Sequence, residues 1–301
     1  MNSIAPREIK LNEVRYRLTR EEEIGEAVEV FFTSLSDLSE RLNITAPLPP
    51  REYVLVMYAY IFRTGIFHVA EMDGRLVAVC HAIVRDHLWF LSGFWALPGF
   101  QGLKIGGTLL RRVWEEGERM GAKVFFTWSS TDLQAMASYM KMGMLPGYQT
   151  LTFSGTAENL FDKRTGYEVS PLALSTAAEM DAQIRETRRE IDHQFWLDEF
   201  QLQGRQVMRD GRAIGYYYFG HGTIGPAAWF TEADGEALLE FACLEASRQT
   251  EQIRLAVPGL NHTAIRFALR SNLRLTHYAH HLTTASFGRM EQYLPSGPSL
   301  F

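Results

Sequence analysis

The run Ala96-Leu97-Pro98-Gly99-Phe100-Gln101-Gly102-Leu103-Lys104-Ile105-Gly106-Gly107 holds the residues of this chain best suited to chemistry. An apolar stretch over residues 88–97 breaks at Pro98, passes through a glycine-rich turn and opens an amphipathic run reaching about Met120. That pattern predicts a strand, a tight turn and a helix. Main-chain N–H groups gathered at a helix start favour a phosphate, because unpaired donors and the helix dipole act together. Glycine lets an anion reach the backbone, where a side chain would hold it away. Strand–turn–helix units also use glycine for purely structural reasons, so the turn by itself leaves both readings open.

Other reactive side chains are poorly placed for chemistry. Cys80 and Cys243, the two cysteines, sit inside apolar patterns with no His/Asp company, and read as buried thiols in a reducing compartment. His277, His280 and His281 lack carboxylate or cysteine neighbours at ligand spacing, so no metal is expected. Arg185, Arg188 and Arg189 beside Glu186 and Glu190 read as a solvated helical face. A formal charge of −5, with no basic cluster longer than Arg188-Arg189, argues against a nucleic-acid partner. The first residues contain no apolar core of leader length, and the longest apolar run, 53–62, is far short of the ~20 residues that span a bilayer. A cytoplasmic protein without membrane contact is expected; oligomeric state is open.

The elements that must position the turn form a repeat. At 301 residues, with 46% hydrophobic and 22% charged, the chain suits two globular domains. Phe67 to Val79 is an alternating hairpin about Asp73-Gly74, and Gly204 to Tyr216 repeats it about Asp210-Gly211. The second copy is shorter by 8 positions between its hairpin and the helix after the turn, and the deletion is placed before the turn. In the first copy, periodicity predicts a strand over 14–18 and helices over 21–38 (N-cap Thr19) and 51–62. The hairpin, a strand to residue 97, a helix over 106–120, a strand over 122–129, a helix over 133–142 and a strand over 147–154 follow. Residues 155–170 read as a linker, giving domains 1–158 and 159–301.

The turn resembles the acyl-CoA loop of the GNAT superfamily of N-acyltransferases, Gln/Arg-x-x-Gly-x-Gly/Ala after a strand. Gln101 and Gly106 match, while Lys104 stands at the inner glycine. A second resemblance follows in order: Asp132, Ala135, Tyr139, Lys141, Gly143 and Met144 parallel the family's Asn-x-x-Ala-x-x-x-Tyr-x-Lys-x-Gly-Phe. The resemblance covers residues 10–155 well and 200–290 loosely. It implies an α/β fold of tandem domains, each a mostly antiparallel central sheet flanked by helices. It further implies acetyl-CoA as co-substrate, its pyrophosphate on the amides of Gln101, Gly102, Leu103, Lys104, Ile105, Gly106 and Gly107. The pantetheine arm would lie along Phe94, Trp95 and Ala96 beside a bulge at Gly93, with Asp132 also on the cofactor side. Tyr139 falls at the family's general-acid position.

The acceptor implied is a small-molecule or peptide amine, attacking the thioester directly. Tyr53, Met57, Tyr58 and Tyr60 fall in the acceptor-lining region, and equally suit a helix core. Residues 88–97 contain no titratable side chain to act as base. His81, Asp86, His87, a water chain and the terminal carboxylate are the options. In the second copy, Glu232 and Asp234 would oppose a pyrophosphate, and Ala268 replaces the tyrosine, so that domain reads as degenerate. A non-catalytic CoA-binding sensor or structural module is the alternative; an aminoacyl-tRNA-dependent transferase is disfavoured by the acidic balance.

Overall fold

The computed structural model describes residues 13–44, 47–161 and 165–301. The opening residues read for a leader, and residues 162–164 of the expected linker, lie outside the described residues. The elements run β1 (Arg15–Leu18), α1 (Ile24–Arg41), α2 (Arg51–Thr64), β2 (Ile66–Met72), β3 (Arg75–Arg85), β4 (Leu88–Ala96), α3 (Ile105–Arg119), β5 (Val124–Ser129), α4 (Leu133–Lys141) and β6 (Leu145–Gly155). The same order then returns: β7 (Glu168–Pro171), α5 (Leu174–Ile184), α6 (Glu190–Asp198), β8 (Gln203–Arg209), β9 (Arg212–Gly220), β10 (Thr223–Trp229), α7 (Glu232–Ala246), β11 (Ile253–Pro258), α8 (His262–Arg270) and β12 (Arg274–Thr283). A short β13 (Tyr293–Leu294) is the last strand. Both hairpins turn through paired positive φ angles, 51° and 74° at Asp73-Gly74 and 51° and 72° at Asp210-Gly211, the twist a two-residue hairpin needs.

By packing, the chain divides into two compact units, Met1–Ala82 with Gly93–Gly117, and Ile83–Ser92 with Glu118–Phe301. This division cuts β3 and β4. In the first unit β1, β2 and β3 pair antiparallel, and the far end of β4 joins through Leu97 N–H to Val77 O. Neighbouring residues of β2 point to opposite faces. Phe67 meets Tyr58 of α2, while His68 meets Glu116 of α3, so α1 and α2 cover one face and α3 the other. The start of α1 differs from expectation. Thr19 does not cap it; its N–H and hydroxyl both donate to Phe67 O at 3.0 Å, tying the segment to β2. Glu23 closes a turn of 3-10 helix over Glu21–Glu23 by accepting from the Arg20 N–H, and Arg17 holds its carboxyl down at about 2.

The second unit is built on strands in the order β4-β5-β12-β6-β11-β10-β9-β8-β7. Among the described residues of this order, only β4 on β5 and β10 on β11 run parallel. The closing strands of the two repeats are exchanged: β6 pairs with β11, β12 pairs with β5, and β6 and β12 pair with each other. Leu238, Leu239 and Phe241 of α7, Phe267 of α8 and Leu255 and Val257 of β11 form the core on one face. On the opposite face the solvated arginine run is corrected. Arg188 is exposed and paired with Glu190, but Arg185 and Arg189 are each 2% exposed. Arg189 Nε donates to Asp181 at 2.5 Å, and His193 and Tyr216 bond the same carboxylate. Arg185 and Arg189 also both donate to Phe301 O at 2.7 Å.

Candidate active site

Eight residues, 97–104, carry the chain from β4 into α3. Gly99, Gly102 and Lys104 take positive φ angles of 87°, 78° and 65°. The value at Lys104 is one that glycine adopts freely and that a lysine holds at a modest steric cost. Gly106 is needed for a different reason. A side chain there would meet Phe94 Cζ at 2.7 Å, so α3 rests directly on the Phe94 ring. A Cβ at Gly107 meets nothing within 4 Å.

The main-chain N–H groups of Gly102 to Gly107 donate no hydrogen bond to any described residue; the first bond of this stretch runs from Thr108 N–H to Lys104 O at 3.2 Å. Donors therefore converge where the dipole of a 15-residue helix begins. Gln101 does not offer its side chain to a ligand. Its amide nitrogen donates to Ala96 O at 3.1 Å, and Asp37 and Arg41 flank it, so it clamps the loop onto the end of β4. Lys104 is exposed and Leu103 half-buried, while Ile105 is fully buried and anchors the helix.

The residues expected along the cofactor arm turn their side chains inward. Phe94 lies under Gly106, and Trp95 packs edge-on to Phe31 of α1 at 5.0 Å. Ala96 O accepts from both Ser34 Oγ and Gln101, which occupies that carbonyl. On the α1/α2 face, a Cβ at Gly93 would collide with the His81 imidazole. The α2 residues expected to line an acceptor divide: Tyr58 and Tyr60 are buried, Tyr53 and Met57 half-buried. Tyr58 stands edge-on to His81 at 4.6 Å. Burial pushes the Tyr58 phenol up and the His81 imidazole down to about 3, so both are neutral at ordinary pH.

In the second unit, Asp132 caps α4, its Oδ1 accepting from Gln134 and Ala135 N–H at 2.8 and 3.0 Å. Asn261 does the same for α8 with Ala264 N–H at 3.0 Å, so this position is a helix cap in both repeats. Tyr139 is buried near the end of α4, 6% exposed. Asp86 Oδ2 accepts from Arg188 N–H at 2.8 Å, and Cys80 and Cys243 are buried with thiols pushed up by burial. Among the described residues no His/Cys/Asp/Glu group could hold a metal, and no helix is long and apolar enough to cross a membrane.

The second repeat closes the corresponding places. Only Phe230 and Thr231 join β10 to α7, so part of the deletion expected before the turn falls in the turn itself. Thr231 caps α7, accepting from Asp234 N–H at 3.2 Å, and Asp234 pairs with Arg209 at 2.7 Å. β10 leaves β11 after Ile224, and β13 takes the freed edge at Ala227 and Ala228. Asn261 Nδ2 fixes that strand by donating to Tyr293 O at 3.0 Å.

A mixed, mostly antiparallel sheet with flanking helices and a glycine-rich loop between a strand and a helix is the architecture of the solved GNAT folds the chain resembles. Residues 34–144 match the acetyltransferase (GNAT) family model. That match supports acyl transfer in general terms. No curated protein matches the sequence. Among solved structures, a candidate acetyltransferase from Pyrococcus horikoshii is similar over 99% of both chains, at 15% identity and a TM-score of 0.77. A GCN5-related N-acetyltransferase from Sphaerobacter thermophilus is similar over 90% of this chain and 95% of its own, at 14% identity and 0.66. A tandem GNAT protein from the clavulanic acid biosynthesis pathway is similar over 90% and 98%, at 13% identity and 0.60. At these identities the likeness is one of fold.

Proposed function

We propose that the first repeat is an acetyl-CoA-dependent N-acetyltransferase acting on a small-molecule or peptide amine, and that the second repeat is a degenerate GNAT-like domain that binds no cofactor. The observation that carries this reading is the row of undonated N–H groups from Gly102 to Gly107 at the start of α3. A diphosphate satisfies those donors and the helix dipole together, and the exposed Lys104 adds a cation at the loop edge. The main chain at Phe94 and Trp95 takes the pantetheine arm. The acceptor nitrogen attacks the thioester carbonyl carbon as the C–S bond breaks, with rate supplied by holding both reactants together. Tyr139 is assigned as donor of the proton that the leaving thiolate takes up. The acidic chain carries no nucleic-acid partner in this reading, and the cytoplasm suits its cofactor.

Calorimetric titration of the full chain with acetyl-CoA, followed by turnover with a panel of polyamines, peptides and aminoglycosides, tests the proposal. Tight binding with turnover is expected, and Tyr139→Phe should lower kcat about 10²-fold with unchanged acetyl-CoA affinity. Binding without turnover on any amine would point to a CoA sensor, and no binding would end the reading.

A further inference from the structure

His81 of β3 and Tyr58 of α2 form a polar pair whose polar atoms have no partner. His81 is 1% exposed and Tyr58 2%, yet neither imidazole nitrogen nor the phenol oxygen has a hydrogen-bond partner among the described residues. Leaving such groups unbonded in a dry interior forfeits the hydrogen bonds that water would give them. The second repeat shows what the same frame does when no ligand is wanted. Eight residues beyond its Asp-Gly turn, where the first repeat has His81, stands Tyr218 of β9. Its hydroxyl bonds His193 Nδ1 of α6 at 3.0 Å, and His193 Nε2 bonds Asp181 at 3.0 Å. The histidine and tyrosine have changed places, and a buried carboxylate has been added to satisfy them. The first repeat holds the pair with its bonding capacity unspent.

We propose that His81, braced by Tyr58, takes the proton from the acceptor nitrogen in acyl transfer. The assignment rests on the reading of the first repeat given above. The imidazole presses on Gly93, immediately before the main chain assigned to the cofactor arm, and β4 itself carries no titratable side chain over 88–96. Asp86, the nearest carboxylate in sequence, is engaged by Arg188 N–H. As the nitrogen bonds the carbonyl carbon, its N–H proton passes to a free imidazole nitrogen of His81. The C–S pair leaves with the thiolate, which takes the proton of Tyr139, and solvent then returns both side chains to their starting states. Burial keeps His81 as free base, ready to accept, and the negative charge growing on the oxyanion and sulfur raises its basicity only during reaction.

The test uses the full chain with acetyl-CoA and the best amine of the panel. His81→Ala is expected to lower kcat/KM at least 10²-fold with acetyl-CoA affinity unchanged. Added imidazoles should restore turnover in proportion to their basicity, at matched size, which filling a cavity would not do. Tyr58→Phe, a smaller change to the core, should lower kcat about tenfold and covers the case in which His81→Ala does not fold. Undiminished turnover in these variants, or rescue independent of base strength, would overturn the assignment while leaving the acetyltransferase reading intact. An inactive wild-type chain would overturn both.

Discussion

The two repeats share one order of elements, two matching hairpin turns and one layering of helices, yet treat their polar groups in opposite ways. Eight residues join strand to helix in the first and leave the amides of Gly102 to Gly107 undonated; two residues do so in the second, under a threonine cap. Where β10 parts from β11, the chain lays β13 into the opening. Where Tyr58 and His81 stand unbonded, Tyr218 and His193 are tied to Asp181. On the proposed reading, the second repeat bonds its own polar groups at these matched places, and the first leaves them for a ligand. The energetic logic is the same in both: a buried polar group is tolerated when something bonds it.

The sharpest way to break the comparison is a matched pair of substitutions. Gly106→Glu puts bulk against Phe94 and a negative charge on the assigned phosphate seat, and should abolish measurable acetyl-CoA binding. Gly235 stands at the matching place in α7, where a side chain would strike the Trp229 indole. Gly235→Ala should therefore cost about 1–3 kcal/mol of stability by overpacking, with acetyl-CoA affinity unchanged in the folded fraction. Loss of cofactor affinity in Gly235→Ala would show that the second repeat does bind, and would remove the contrast.

Next in size is the network that occupies the second repeat. Asp181 is fully buried; burial opposes its charge, but Arg189 and His193 outweigh that and pull the carboxyl well below its usual range. Asp181→Asn should destabilise the chain by about 3–5 kcal/mol in denaturant unfolding, because Arg189 loses its carboxylate while remaining buried. A change under 1 kcal/mol would mean that the network is not what holds this repeat. Acid should act on a buried histidine in each repeat, with a smaller effect. His81 is lowered to about 3 by burial, and His281 also to about 3 by burial and the nearby charge of Arg185. Unfolded histidines bind protons near 6.5 and these folded ones do not, so stability falls as the pH drops from about 6.5 towards 3. His281→Phe should flatten that slope; an unaltered slope would mean that other groups set it.

Much of this contrast was legible in the chain. Apolar periodicity placed the helices and strands, the Asp-Gly pairs fixed both hairpins, and the glycines marked the loop, because each of these is a local signal. The exchange of β6 and β12 was not, since strand partners over 120 residues apart in sequence leave no mark on either strand's alternation. Arg185 and Arg189 read as surface because charge spacing on a helix says nothing about a buried carboxylate eight residues away. Thr19 read as a cap from its type, and tertiary pairing with Phe67 claimed it instead. The matched pairs at His81 and Tyr218 emerge only once both repeats are superimposed by their turns.

The smallest effect sharpens the comparison at Lys104, where this chain leaves the family pattern. Its φ of 65° costs a lysine of order 1 kcal/mol that glycine would not pay, and the favoured loop shape persists because Gln101 clamps one end and Ile105 anchors the other. Lys104→Gly removes that strain but enlarges the freedom of the unfolded chain, so stability should move by less than about 1 kcal/mol. What the exchange isolates is charge. If the amides hold the diphosphate and Lys104 adds only an exposed cation, acetyl-CoA affinity should fall two- to five-fold at low salt and converge with the wild type as salt rises. A loss of a hundredfold, or one indifferent to salt, would shift the seat of binding from the main chain to this side chain, and the contrast between the two loops would then rest on a lysine rather than on their length.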